Sequence, residues 1–150
     1  MKPTSSIDEI LNFAIEEEKA AAEFYISLSA QAANTDMRLA LQEFSFEEQK
    51  HEARLRRMQA GGLRPPTGRL VPDLKIADYQ VKIQPRPDMT YRELLMLAMQ
   101  KELAAMLLYT ALAQTTPDAG QQEIFRQLAQ EEAKHKLRFE TEYDNLMVEG

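Results

Sequence analysis

An all-α fold, a four-helix bundle made of two antiparallel helix hairpins joined by a long crossover loop, is what this 150-residue sequence predicts. Three observations carry the prediction. Four stretches repeat apolar residues every three to four positions, the stripe of an amphipathic helix. Their boundaries carry residue types suited to helix caps and stops. Between the second and third stripes, residues 61–89 hold five of the seven prolines (Pro65, Pro66, Pro72, Pro85 and Pro87), which interrupts helical structure and divides the chain into halves.

The first helix is expected over about residues 6–33. Ser6-Ile7-Asp8-Glu9 reads as a capping box, in which the Ser hydroxyl and the Glu carboxylate each satisfy an orphan backbone donor. Leu11, Ala14, Ile15, Ala22, Tyr25 and Leu28 then form the stripe. Asn34-Thr35-Asp36 supplies a turn and the next cap. A second helix over 36–60 carries Leu41, Phe44, Leu55 and Met58 to a stop at Gly61-Gly62. In the crossover, Val71 to Ile83 admits either a short extended piece or one helical turn, and the sequence leaves both open.

Thr90-Tyr91-Arg92-Glu93 is a second capping box and opens a helix over 90–115 with Leu94, Leu95, Ala98, Ala105, Tyr109 and Leu112 on its apolar side. Thr116-Pro117 predicts a fourth start, Thr at the N-cap and Pro at the first helical position, for a helix over 117–147 with Ile124, Leu128, Phe139 and Leu146 inward. No fifth short helix is expected after it. Met96, Met99 and Met106 read as core filler. Short turns force antiparallel neighbours, and neither hairpin can bury its stripe alone, so residues 1–150 are expected to form one domain.

Composition narrows the chemistry. There are 18 Lys+Arg against 24 Asp+Glu, a net charge of −6, two His and no Cys. Without Cys there is no disulfide framework, thiolate zinc site, iron–sulfur cluster or thiol nucleophile in these residues. The acidic balance argues against nucleic acid or an anionic membrane as partner. No apolar leader and no run near the roughly 18 apolar residues of a membrane span are read from the sequence, so a cytoplasmic protein is expected.

The two halves repeat. At an offset of 84 residues, the separation of Glu18 from Glu102, Tyr25 falls on Tyr109, Leu28 on Leu112, Glu47 on Glu131, Glu48 on Glu132 and His51 on His135. Each half thus has a Glu followed seven residues later by Tyr, then Glu-x-x-His on the next helix. Both histidines of the chain belong to that second motif. Glu18 lies in register with Leu11, Ala14 and Tyr25, and Glu102 with Ala98 and Tyr109. Glu48 and His51 continue the row of Phe44 and Leu55, and Glu132 and His135 that of Leu128 and Phe139. Residues three or four apart share a helix face, so these groups point inward. Four carboxylates buried alone are severely costly, and two divalent cations relieve that cost.

One Glu from each of four helices, with Glu-x-x-His on two of them, is the dinuclear arrangement of bundle carboxylate proteins. On these residues the chain resembles a ferritin-like di-iron carboxylate protein of the rubrerythrin family, and the resemblance covers all four helices. It implies that Glu18 and Glu102 are terminal carboxylates, Glu48 and Glu132 bridging ones, and His51 and His135 one ligand per metal. It further implies that Tyr25 and Tyr109 sit close by and hydrogen-bond ligand carboxylates. Two features depart from full-length rubrerythrins: the Cys-bound rubredoxin-like module is missing, and Ala105 stands where they carry an extra carboxylate. The remaining six-ligand set is similar to that of bacterioferritin ferroxidase sites.

Four oxygens and two imidazoles accept iron, with Mn or Zn as substitutes. The resemblance implies a non-haem di-iron peroxidase or oxidase that reacts Fe(II) pairs with peroxide or O2. Electrons would come from an external donor such as a rubredoxin, in a chain expected to be a homodimer. The alternative is iron oxidation and storage in a ferritin-like cage; a third reading is a partner-binding bundle that retains the residues without using them. Glu16, Glu17, Glu23 and Glu52 read as solvated, while Glu47 and Glu131 read either as solvated or as partners standing behind the ligands. Arg54, Arg56, Arg57, Arg64 and Arg69 read as complementing the end of the second helix, or as a dock for an acidic partner.

Overall fold

The computed structural model describes residues 5–61, 70–71 and 76–149. Its helices are α1 (Ile7–Ser29), α2 (Thr35–Gln59), α3 (Tyr91–Thr115) and α4 (Ala119–Glu149). The first two pack as one antiparallel hairpin and the last two as another, and the fold is the expected four-helix bundle. In the crossover a two-residue strand, β2 (Leu70–Val71), pairs antiparallel with β1 (Ser5–Ser6), and a 3-10 turn follows at Ile76–Tyr79. Both forms left open for the crossover therefore occur in it.

The boundaries differ from the expectations where local chemistry competes. α1 gives way after Ser29 to a tightened turn, in which Ala30, Gln31 and Ala32 donate to the carbonyls three residues back. The Ser6 side chain, expected to cap α1, lies outside the described residues, as do Gly62, Arg64 and Arg69. Asn34 caps α2, its Oδ1 accepting from the Met37 amide at 2.8 Å. Gly61 ends that hairpin arm at φ +114, a region that an L side chain avoids. The Thr90–Glu93 capping box forms as expected, with Thr90 N–H donating to Glu93 and Glu93 N–H to Thr90 Oγ1.

The start expected at Thr116 is corrected. Thr116 is the C-cap of α3, its backbone N–H donating to the Leu112 carbonyl, with extended angles (φ −73, ψ 130). Pro117 disfavours the helical region for the residue before it. Asp118 caps α4 instead, its Oδ2 accepting from the Gln121 amide at 2.8 Å. Two core assignments also change. In the first turns of α4 Phe125 is the fully buried apolar residue, with Ile124 only half-buried beside it, and Met96 on α3 is 44 % exposed rather than core.

The core is two apolar plugs with a polar layer between them. One plug gathers Ile10, Leu11 and Ile15 of α1, Leu55 of α2, Leu112 of α3 and Phe125 of α4. The other gathers Phe24 and Leu28 of α1, Leu41 of α2, Leu95 of α3 and Phe139 of α4. Each helix thus passes from one plug to the other, and its Glu lies at the crossing between them. Because α2 ends in the first plug and α3 begins in the second, the crossover must travel the length of the bundle.

α3 corrects a further expectation. By length and composition it is apolar enough to cross a membrane. The cause is that apolar residues occupy its outer face as well as its inner one: Met96, Leu103 and Leu107 are exposed. Its buried Glu102 and its packing against α4 identify it as a bundle helix.

Candidate metal centre

Between the plugs the four helices place Glu18, Glu48, His51, Glu102, Glu132 and His135, each no more than 2 % exposed. Helical periodicity alone brings Glu48 beside His51 and Glu132 beside His135, since residues three apart share a face. The ligand atoms form two overlapping sets, each within 4.8 Å of one another: Glu18, Glu48, His51 and Glu132, then Glu48, Glu102, Glu132 and His135. Glu48 and Glu132 belong to both sets. Glu18 and Glu102 belong to one each.

The imidazoles are nearly parallel, 6.5 Å apart between centroids at 12°. His51 Nδ1 lies 2.8 Å from Glu18 Oε2 and 3.3 Å from Glu48 Oε1. His135 Nδ1 lies 3.2 Å from Glu102 Oε2 and 3.5 Å from Glu48 Oε1. These approaches lack hydrogen-bond direction, and neither Nδ1 has a hydrogen-bond partner. The outer nitrogens do. His51 Nε2 is paired with Glu131 Oε1 at 2.8 Å, and His135 Nε2 with Glu47 Oε1 at 2.6 Å. A carboxylate on Nε2 favours the tautomer that keeps its proton there, which leaves the Nδ1 lone pair facing inward. Of the two roles left open for Glu47 and Glu131, the geometry places both behind the histidines, each crossing from the opposite hairpin.

Tyr25 and Tyr109 complete the layer, again in crossed fashion. Tyr25 on α1 donates its hydroxyl to Glu102 Oε1 on α3, and Tyr109 on α3 hydrogen-bonds Glu18 on α1. The pairing leaves one oxygen of each of these carboxylates for the centre. The symmetry is incomplete at one place: the Phe44 ring stacks on His135 at 4.1 Å, whereas the repeat puts Leu128 at the matching position beside His51. This stacking has no separate sequence signal, because Phe44 reads simply as a core residue.

Burial pushes the Glu48 and Glu132 carboxyls well above the ordinary 4.5, and neighbouring carboxylates push the same way. Burial also raises Glu102, against the opposing pull of His135 and the Tyr25 hydroxyl. For the histidines burial acts downward, but Glu18 and Glu131 outweigh it at His51, and Glu102 and Glu47 at His135, so both are raised above 6.5. Contacts within the protein leave much of the layer unsatisfied. Glu18 Oε2, both oxygens of Glu48 and of Glu132, Glu102 Oε2 and both Nδ1 atoms are buried without hydrogen-bond partners. Such groups are costly unless something binds them. Oxygen-rich donors with one imidazole per set suit a pair of divalent transition-metal ions.

Comparison with known proteins agrees with this geometry. The family model for rubrerythrin matches residues 9–84 and 93–149. A solved hypothetical protein from Pyrococcus furiosus is 25 % identical, with a TM-score of 0.72 over 93 % of this chain and 89 % of that one. A putative ferritin-like diiron-carboxylate protein from Thermotoga maritima is 21 % identical, with a TM-score of 0.83 over 96 % and 98 %. KatB, a manganese catalase from Anabaena PCC7120, is 19 % identical, with a TM-score of 0.67 over 93 % and 73 %. No curated protein matches the chain.

Proposed function

The chain belongs to the rubrerythrin family, and from that premise we propose that it is a non-haem di-iron oxidoreductase acting on peroxide or O2. Eight buried donor atoms without partners, arranged as two sets sharing Glu48 and Glu132, are the observation that carries the reading. In it Glu18 and His51 would hold one metal and Glu102 and His135 the other, with Glu48 and Glu132 available to both. Iron is favoured by the description of the Thermotoga relative as a diiron-carboxylate protein, while the manganese catalase of the same fold makes Mn the natural substitute.

A pair of irons bound there would supply two-electron chemistry toward an oxidant. The protein's part is to hold the donors ready. Tyr25 and Tyr109 restrain the terminal carboxylates, while Glu47 and Glu131 fix the imidazole tautomers. Glu48 and Glu132 are common to both donor sets, and no donor group among the described residues ties up their oxygens. The apolar plugs above and below keep bulk water from the layer. These 150 residues hold no Cys for a second redox centre, and in this reading electrons come from a separate donor, for which a rubredoxin is one chemical fit. We place the protein in the cytoplasm, and the exposed Met96, Leu103 and Leu107 on α3 support a homodimer.

The test is reconstitution with Fe(II) followed by peroxide titration. Wild-type protein is expected to consume peroxide faster than protein carrying His51→Ala and His135→Ala together. Equal rates would overturn the redox role. Storage of oxidised iron, the second reading, would instead appear as uptake of many irons per chain by a large closed assembly.

A further inference from the structure

We infer that small molecules reach the carboxylate layer through the cleft between α1 and α3, and that Ala105 and Tyr79 decide what passes; the inference rests on the metal-centre reading above. A cavity of about 30 Å³ lies in this cleft. Its floor is made by Glu18, Glu48, Glu102 and Glu132, and neither histidine lines it. The opening therefore meets the centre on the side away from the imidazoles, where donor positions are not filled by nitrogen.

The floor is unsatisfied as well as polar. Glu48 and Glu132, which line this space, are fully buried, and all four of their carboxylate oxygens lack hydrogen-bond partners. Room for the cavity comes from the sequence. Ala21 and Ala105 follow Glu18 and Glu102 by three residues, fall at matching positions of the repeat, and line the walls from α1 and α3. These two helices pack against each other far less than the two helices of either hairpin.

At the outer end, Tyr79 and Val81 of the crossover lie across the cleft, with Glu17 and Lys101 beside them. Tyr79 packs against the first apolar plug and Val81 against the second. The crossover thereby straps the mouth to both ends of the bundle. A space of about 30 Å³ holds roughly two water-sized molecules. That suits molecules of two or three heavy atoms, such as peroxide, O2 or the azide ion, and not a larger organic substrate.

Azide binding to the Co(II)-loaded protein, followed in the visible cobalt bands, tests the port without turnover. Ala105→Leu adds three carbons to the wall and is expected to keep its cobalt while binding azide about tenfold more weakly or worse, the scale of a modest steric penalty. Tyr79→Ala is expected to keep its cobalt, bind azide faster, and admit the longer thiocyanate. Should Ala105→Leu not fold, Ala105→Val and Tyr79→Ala decide the matter. Full cobalt loading with azide affinity and rate unchanged in these variants would overturn the port alone. Wild-type protein that takes up no cobalt would overturn the metal-centre reading and the port with it.

Discussion

Loading the centre with metal is expected to raise the melting temperature by roughly 10 °C or more, and by more at pH 8 than at pH 6. At a free metal concentration of a thousand times Kd, one site stabilises the native state by about 4 kcal/mol, and each kcal/mol is worth about 2–4 °C in a domain of this size. In the metal-free protein the Glu48, Glu102 and Glu132 carboxyls are held above 4.5, and the His51 and His135 imidazoles above 6.5. The folded state then binds more protons than the unfolded chain. Their contribution is fully present below the ordinary carboxylate value and is lost as pH rises through the folded-state values. Metal-free protein should accordingly melt at a lower temperature at pH 8 than at pH 6. Metal competes with those same protons, so the increment from loading should grow over the same interval. Calorimetry of both forms at the two pH values measures it; a melting temperature indifferent to chelation would indicate a bundle that does not use these residues.

Replacing the two shared carboxylates should stabilise the metal-free protein while removing its response to metal. Glu48 and Glu132 are fully buried, and none of their four oxygens has a hydrogen-bond partner. Burial and the nearby carboxylates of Glu18 and Glu102 push both carboxyls up, so as the pair ionises it costs stability instead of supplying it. Glu48→Gln with Glu132→Gln keeps the shape and removes the charge. Replacing buried charged groups by apolar residues of similar volume is neutral to stabilising by about 1–4 kcal/mol, and the uncharged but polar amides should gain toward the lower end of that range. Denaturant unfolding at pH 8 should show a gain of that order without metal, and no further gain with it. A loss of stability in the metal-free double variant would mean that these carboxylates serve the fold, and the centre would then need another explanation.

Much of this was legible in the residues. The 84-residue repeat brought Glu18, Glu48, His51 and Tyr25 into register with their counterparts, and an inward-facing Glu at mid-helix has few structural uses. The four stripes and the Pro-rich break defined the bundle for the same reason: period and punctuation are local properties. What escaped was set by competition or by distance. Thr116 and Asp118 both offer cap chemistry two residues apart, and only the backbone restriction imposed by Pro117 decides between them. Phe125 and Ile124 are adjacent apolar residues, and only packing in the first plug selects Phe125 over its neighbour, while Leu128 and Phe139 of the same stripe are buried as expected. The stacking of Phe44 on His135 and the placing of Tyr79 over the α1–α3 cleft depend on chain segments far apart in sequence, so no local pattern announces them.

Glu47 and Glu131 show the same division. Their position next to a ligand made them candidates for an outer role, yet each grips the histidine of the other hairpin, at separations of 88 and 80 residues. This crossing gives the four outermost links of the layer, two Glu–His and two Tyr–Glu, the added work of joining the hairpins to each other. The centre is therefore also a tie between halves that apolar packing alone holds less tightly than it holds each hairpin.

The most direct test of a dinuclear centre is metal counting. Protein made in iron-supplemented medium, or refilled with Fe(II) without oxygen and freed of excess, should hold two irons per chain by elemental analysis, and protein carrying His51→Ala with His135→Ala should hold markedly fewer. Iron at zero or one per wild-type chain, or the same content in both proteins, would contradict a centre built from these six residues.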